Sequence, residues 1–82
     1  MASRSPDLVA LQEVTQRLFR ETPSYTVVEE SGPDHEKRFV SEIAVGGQTC
    51  GRGVGRSKKT AEQAAAMQAL AALGREHPEA TG

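Results

Sequence analysis

The chain has 82 residues, a formal net charge of −1 at pH 7 and a hydrophobic content of 37%. A chain of this length supports one small domain with a thin core and is too short for a large enzyme. The sequence contains no apolar run near the roughly 20 residues that a membrane helix needs. The chain has a single cysteine, which excludes an internal disulfide, and its two histidines do not give the ligand spacing of a zinc site. We therefore expect a soluble, cytoplasmic domain without metal or cofactor.

The first predicted element is an amphipathic helix over residues 6–19. Ser5 is a suitable N-cap, and Pro6 and Asp7 suit the first turn. Apolar residues then recur at the spacing of one helical face: Leu8, Leu11, Val14 (or Thr15) and Leu18. The other face carries three polar neighbours, Gln12, Glu13 and Gln16. Periodicity alone favours a solvated surface for these three.

Three strands are predicted next, because segments rich in β-branched residues are separated by turn residues. Thr22-Pro23-Ser24 ends the helix, and Gly32 and Pro33 form a turn after the first strand. Gly46-Gly47 is the signal of a hairpin between the second and third strands. The predicted strands cover residues 25–30, 37–45 and 48–54. In the second strand Phe39, Ser41, Ile43 and Val45 share the inward face, and Ser41 is its small exception.

The last predicted element is an Ala-rich helix from Ser57, its N-cap, to Leu73, with Gly74 and Pro78 as stop signals. Its many small residues predict close contact with the sheet: Ala61, Ala65, Ala69, Ala72 and Leu73, flanked by Ala66 and Leu70. The glycines before it, from Gly51 to Gly55, are predicted to make the edge strand more flexible where it turns into the helix.

This order predicts an α+β fold, α-β-β-β-α, with a three-stranded antiparallel sheet and both helices packed on one face. The predicted domain covers residues 6–74. A flexible N-terminus is predicted for residues 1–5 and a polar C-terminal tail for residues 75–82.

Two lysines in the first turn of the last helix contradict the usual charge preference. The N-terminus of a helix carries partial positive charge, so Lys58 and Lys59 should each cost a few tenths of a kcal/mol there. No acidic residue lies between Glu42 and Glu62, while Arg52 and Arg56 also fall in this interval. Such a locally unfavourable arrangement indicates a function, because binding of a polyanion would compensate for the cost of placing these cations at a helix start.

Other kinds of site fit the sequence poorly. The Gly-rich segment lacks the residue order of a P-loop and the glycine spacing of a dinucleotide fingerprint. Asp34, His35 and Ser57 could be the side chains of a hydrolase, but nothing supplies an oxyanion hole or an oriented base. Glu29 and Glu30 point to opposite faces of a strand. Cys50 fits a small core or edge residue, so no catalytic residue and no metal ligand is predicted.

Four motifs together resemble the double-stranded-RNA-binding domain. They are Leu11-Gln12-Glu13, Pro23-x-Tyr25, Gly32-Pro33-Asp34-His35 before Phe39, and Gly53-x-Gly55-Arg56-Ser57-Lys58-Lys59-x-Ala61-Glu62. The resemblance covers residues 6–73. Residues 11–16 and 58–65 look like the version in the C-terminal domain of bacterial ribonuclease III. The acidic metal-binding residues of the nuclease domain are absent, so the chain is expected not to be an enzyme by itself.

The resemblance implies three contacts with double-stranded RNA, bound by shape without marked sequence specificity. Gln12, Glu13 and Gln16 would lie in one minor groove. Pro33, Asp34 and His35 would enter the next minor groove. Arg56, Ser57, Lys58 and Lys59 would contact phosphates across the intervening major groove.

The alternative is a protein-interaction or dimerisation module that uses the sheet or a helix face and binds RNA weakly or not at all. Its support is the overall acidity and Glu62, which stands where many eukaryotic members of the family have a third basic residue. That departure predicts one phosphate contact fewer. In either case the expected partner is a macromolecule and not a membrane.

Overall fold

The structure is a computed structural model in which residues 6–77 are described. The elements are helix α1 (Pro6–Phe19), strands β1 (Ser24–Ser31), β2 (Arg38–Val45) and β3 (Gln48–Gly55), and helix α2 (Lys58–Glu76), with a short 3₁₀ turn at Asp34–Glu36. The predicted α-β-β-β-α fold is confirmed, and α1 has its predicted bounds. The predicted Ser5 cap, the predicted flexible N-terminus and residues 78–82 of the predicted tail lie outside the described residues.

The three strands form one antiparallel sheet in the order β1-β2-β3. Gly46 and Gly47 connect β2 to β3 with φ angles of 61° and 81°. Positive φ at both central residues is typical of the tight hairpin turns that match strand twist, which explains why both are glycine. The β1–β2 pairing contains an irregularity between Val27 and Glu29, and the β2–β3 pairing contains one between Ile43 and Ala44.

The core lies between the sheet and the two helices. Its buried apolar members are Leu8, Leu11 and Val14 from α1, Ile43 from β2, and Ala65, Ala66, Ala69 and Leu73 from α2. Thr15 and Ser41 are also fully buried. The Thr15 hydroxyl donates to the carbonyl of Gln12 at 3.1 Å, so its burial leaves no unpaired donor. Ser41 is the small residue predicted on the inward face, and its hydroxyl has no hydrogen-bond partner among residues 6–77.

The alternating glycines of β3 lie directly under α2. A Cβ atom at Gly53 would approach the Ala61 carbonyl oxygen to 2.6 Å, and one at Gly51 would lie 2.8 Å from the Ala69 nitrogen. One at Gly55 would lie 2.5 Å from the Ala61 nitrogen. These distances are far below van der Waals contact, so β3 needs glycine wherever it faces the helix. The earlier explanation, a loosened edge strand, was incomplete because close packing of backbone on backbone sets these three positions.

Helix α2 is longer than the sequence predicts. It continues through Gly74 to Glu76, and the backbone N–H of His77 donates to the Leu73 carbonyl at 2.7 Å. A glycine inside a helix costs about 1 kcal/mol, which tertiary packing can offset. The helix ends at Glu76, and His77, the residue before Pro78, is not helical, as expected because proline disfavours helical conformation in the residue that precedes it. The predicted stop at Gly74 is therefore wrong, and residues 75 and 76 of the predicted tail are helical. At this end the His77 ring contacts Phe19 edge to face, with centroids 5.9 Å apart.

Candidate nucleic-acid interface

The start of α2 is fixed by a reciprocal pair of hydrogen bonds. The Ser57 side-chain oxygen accepts from the backbone N–H of Thr60 at 3.1 Å, and the Thr60 hydroxyl oxygen accepts from the backbone N–H of Ser57 at 3.0 Å. This capping box confirms Ser57 as the N-cap. The first N–H groups of a helix have no intrahelical partner, so this end of α2 keeps donors for an anion.

The cations around this helix start are exposed. Arg56, Lys58 and Lys59 are all accessible, and within the described part of the chain none has a carboxylate oxygen within 4 Å. Lys58 does act on the neighbouring loop: the pKa of Glu30 is lowered first by its hydrogen bond and charge contact with Lys37, and further by the charge of Lys58. The charge of Lys58 at the start of α2 therefore acts on the Glu30 carboxylate at the base of the β1–β2 connection.

The β1–β2 connection presents its tip to solvent. Pro33, Asp34 and His35 are exposed, and the turn is closed by a hydrogen bond from the Glu36 N–H to the Pro33 carbonyl at 2.8 Å. Gly32 has φ of 92°, and a Cβ there would collide with the Glu36 carbonyl oxygen. At the base, the Lys37 ammonium lies 2.9 Å from the Glu30 carboxylate. The tip is thus carried on a turn of defined shape.

The loop and the adjoining ends of β2 and β3 line one cleft of about 610 Å³, which extends to Arg56 directly before the Ser57 cap. Its lining comprises His35, Glu36, Lys37, Arg38, Val54, Gly55 and Arg56. Two of the three predicted groups of residues are therefore neighbours in space, joined by His35 and Arg56. Lys37 and Arg38 also line this cleft and were not among the predicted site residues. Their signal in the sequence was a basic pair directly after the loop motif.

The polar face of α1 forms a separate surface. Gln12, Glu13 and Gln16 line a shallow cleft of about 410 Å³ together with Val9 and Arg17. Glu13 and Gln16 are exposed and Gln12 is half-buried. The Gln16 side-chain amide donates to the Thr22 hydroxyl at 3.0 Å, which limits its rotation. No lining residue is shared with the loop cleft. Among the described residues, the α1 group therefore lines one cleft, while His35 of the loop group and Arg56 of the phosphate group line the other.

The residues considered for other chemistry are placed differently. The hydroxyl of Ser57 is engaged in the helix cap, so it is poorly placed to act as a nucleophile beside His35. Across residues 6–77 no group of three metal-ligating side chains comes together, and no helix is long and apolar enough to cross a membrane. Burial raises the pKa of the half-buried Cys50 thiol, so the protonated, unreactive form predominates.

A compact α-β-β-β-α domain with exposed cations at a helix start, beside a Gly-Pro turn, has the layout of a nucleic-acid-binding domain. The sequence model of the family described as "Double-stranded RNA binding motif" matches residues 10–73. The match covers most of the chain and nearly all of its described fold. The chain belongs to this family.

Relatives within the family place the chain near the bacterial ribonucleases 3. It is 54% identical over 63 residues to Ribonuclease 3 of Geobacillus thermodenitrificans, covering 77% of this chain and 26% of the relative. It is 48% identical over 71 residues to that of Wolinella succinogenes, covering 87% of this chain and 30% of the relative. The chain thus spans less than a third of these relatives, and the predicted likeness to the ribonuclease III version is confirmed.

A solved structure agrees with the fold. The structure of Dicer from Pichia stipitis matches 87% of this chain and 34% of the Dicer chain, with a TM-score of 0.67 and 31% sequence identity.

Proposed function

We propose that this domain binds double-stranded RNA by shape, through three contacts along one side of the duplex. The observation that carries the proposal is the exposed, unpaired pair Lys58 and Lys59 at a capped helix start, in a chain of the double-stranded RNA binding motif family. Phosphate neutralisation by such cations supplies most of the affinity of nucleic-acid binders. Arg56 and Ser57 belong to the same phosphate-contacting group.

The other two contacts distinguish RNA from DNA. A-form RNA has a shallow minor groove that displays 2′-hydroxyl groups, and domains of this kind span about 16 base pairs. Gln12, Glu13 and Gln16 on α1 contact one minor groove, where the Glu13 carboxylate accepts from 2′-hydroxyls. The tip of the β1–β2 connection, Pro33, Asp34 and His35, contacts the next one. The α1 residues and the loop residues line two different clefts, which supports two distinct minor-groove contacts.

The parent protein is proposed to be an RNA-processing protein of the ribonuclease III type. The support is the set of ribonuclease 3 relatives, of which this chain spans 26% and 30% in the two cases given above. In such a protein this domain would hold the duplex, and cleavage would belong to another part. The free thiol of Cys50 supports a reducing compartment such as the cytoplasm. A protein partner or a dimer through the sheet or a helix face stays a prediction.

The test replaces the central cations. The double variant Lys58→Ala/Lys59→Ala should lose on the order of 100-fold in affinity for duplex RNA, since each charged contact contributes about tenfold. The slope of log affinity against log salt should flatten by about two. The fold should persist, slightly stabilised, because cations leave the positive end of a helix.

A charge-matched control separates a local contact from general attraction. Arg52→Ala/Arg75→Ala removes two exposed arginines, one on β3 and one in the last turn of α2. This control should keep affinity within about threefold of the unmodified chain, since exposed charges farther apart than the Debye length are screened. Equal losses in both double variants would overturn the assignment of the phosphate contact to the start of α2.

A further inference from the structure

A second pair of cations lies at the open end of the β2–β3 hairpin. The last pair in register there is Phe39 with Gly55, so Arg38, the first residue of β2, and Arg56, which directly follows β3, lie next to this pair. Side chains alternate between the faces of a strand, which puts Arg38 on the face opposite the buried Ser41. Arg38 and Arg56 both line the 610 Å³ cleft between the loop and the end of β3.

This juxtaposition is unfavourable for folding. Like charges opposite each other on neighbouring strands destabilise a sheet. Neither arginine has a carboxylate oxygen within 4 Å among the described residues, and both are exposed. Farther along the same two strands, Arg52 is instead paired in register with Glu42, the usual arrangement of opposite charges. The same hairpin therefore has one complementary pair within its register and two like charges beside its open end.

The charge of the cleft is not balanced by its other residues. Lys37 is engaged by Glu30 at 2.9 Å, at the base of the loop. Glu36 is the one carboxylate in the lining, against Lys37, Arg38 and Arg56. Each guanidinium group presents a planar fork of N–H donors, which can bind a phosphate through two hydrogen bonds, whereas an ammonium group acts as a point charge.

We propose that Arg38 and Arg56 together clamp one backbone phosphate of the RNA strand that borders the minor groove entered by the loop. The proposal rests on the proposed function and adds Arg38 to its contacts. The clamp lies between the loop tip, carried by residues 33–35, and the lysines of α2. It therefore connects the minor-groove contact of the loop with the major-groove phosphates.

The test measures binding of the whole chain to a blunt RNA duplex at several salt concentrations. Arg38→Gln should weaken binding about tenfold and flatten the log-log salt slope by about one, because one phosphate contact is lost. Its melting temperature should be unchanged or higher, since a repulsive pair is removed. Arg52→Gln is the matched control, an exposed arginine on the same hairpin, and should keep both affinity and slope.

A double variant tests whether the two arginines share one phosphate. If they do, Arg38→Gln/Arg56→Gln should lose clearly less than the product of the two single losses, as coupled residues do. Multiplicative losses would overturn the clamp in favour of two separate contacts. Duplexes with 5′-hydroxyl and with 5′-phosphate ends should show the same loss, whereas a loss confined to phosphorylated ends would overturn the backbone assignment.

Two failures can be told apart. If the unmodified chain does not bind duplex RNA, the proposed function fails. If it binds, and Lys58→Ala/Lys59→Ala abolishes binding while Arg38→Gln retains full affinity and slope, the clamp alone is overturned.

Discussion

Gly53 on β3 lies directly beneath Ala61 on α2, so that a Cβ atom on Gly53 would come within 2.6 Å of the Ala61 carbonyl oxygen. Backbone therefore packs on backbone at this point, and Gly51 and Gly55 repeat the contact on either side. The contact fixes the height of α2 above the sheet one turn after Lys58 and Lys59. Because the same strand ends in the cleft beside the loop, this packing positions the lysines relative to the loop tip.

Substitution of Gly53 by alanine should destabilise the domain. The new methyl group would meet backbone atoms of Ala61 and Ala65, which cannot move aside as a side chain could. We expect a loss of about 3 kcal/mol in the free energy of unfolding, at the upper end for overpacking, or failure to fold. Urea denaturation followed by circular dichroism measures this loss. Gly47→Asn is the control: it lies in open space with φ of 81°, which asparagine tolerates, and should cost under about 1 kcal/mol. Wild-type stability for Gly53→Ala would contradict the packing.

Substitutions of Ser57 should separate its cap from its contact with RNA. Ser57→Ala removes the acceptor for the Thr60 N–H and should cost about 1 kcal/mol of stability. Ser57→Asp retains a cap acceptor and should keep stability within about 0.5 kcal/mol. Its carboxylate would face the phosphates, so RNA affinity should fall about tenfold or more. Thermal unfolding and a binding titration on both variants check this pair, and unchanged RNA affinity for Ser57→Asp would place Ser57 outside the interface.

Glu30→Gln should tighten RNA binding. The Glu30 carboxylate is held mainly by Lys37 and also attracts Lys58, so it competes with phosphate for these cations. We expect a roughly twofold to threefold gain in affinity at low salt that shrinks as salt rises, as for other exposed charges. A binding titration at two salt concentrations measures it. Weaker binding in Glu30→Gln would indicate that the ion pair instead holds the loop in its binding conformation.

The same carboxylate predicts a pH dependence of stability. Lys37 holds the pKa of Glu30 below its ordinary value of 4.5. The contribution of this ion pair is therefore present above that value and is lost as the pH falls through the lowered pKa. The melting temperature of the unmodified chain should exceed that of Glu30→Gln at pH 7, and the two should converge in acid once the pH has fallen through the lowered pKa of Glu30. A difference that persists unchanged in acid would contradict this assignment.

Much of the fold could be predicted because its signals are local. The apolar spacing of α1, the Gly46-Gly47 turn and the Ser57 cap each depend on a few neighbouring residues, and each is confirmed. The end of α2 was misplaced because the cost of a glycine is small compared with packing, so Gly74 did not stop the helix. The role of the β3 glycines depends on a contact between distant parts of the chain, which no local pattern contains.

The candidate site was predicted in its parts but not in its arrangement. The loop tip and the lysines are exposed and the polar α1 residues line a cleft of their own, while the contacts of all three groups with RNA stay predictions. That Arg38 and Arg56 line one cleft depends on the register of β2 with β3. The Gly46-Gly47 turn alone would place Gly55 opposite Arg38, but the irregularity between Ile43 and Ala44 shifts the register by one residue, so the approach of Arg38 to Arg56 could not be predicted from the turn.

The central claim is that the domain recognises duplex RNA by its shape. The most direct measurement titrates the unmodified chain against one sequence in three forms, a blunt RNA duplex of about 20 base pairs, the DNA duplex and the single-stranded RNA. The RNA duplex should bind at least about tenfold more tightly than either of the others, because only it offers 2′-hydroxyls in two successive minor grooves. Equal affinity for the DNA duplex, or no binding to the RNA duplex, would contradict it.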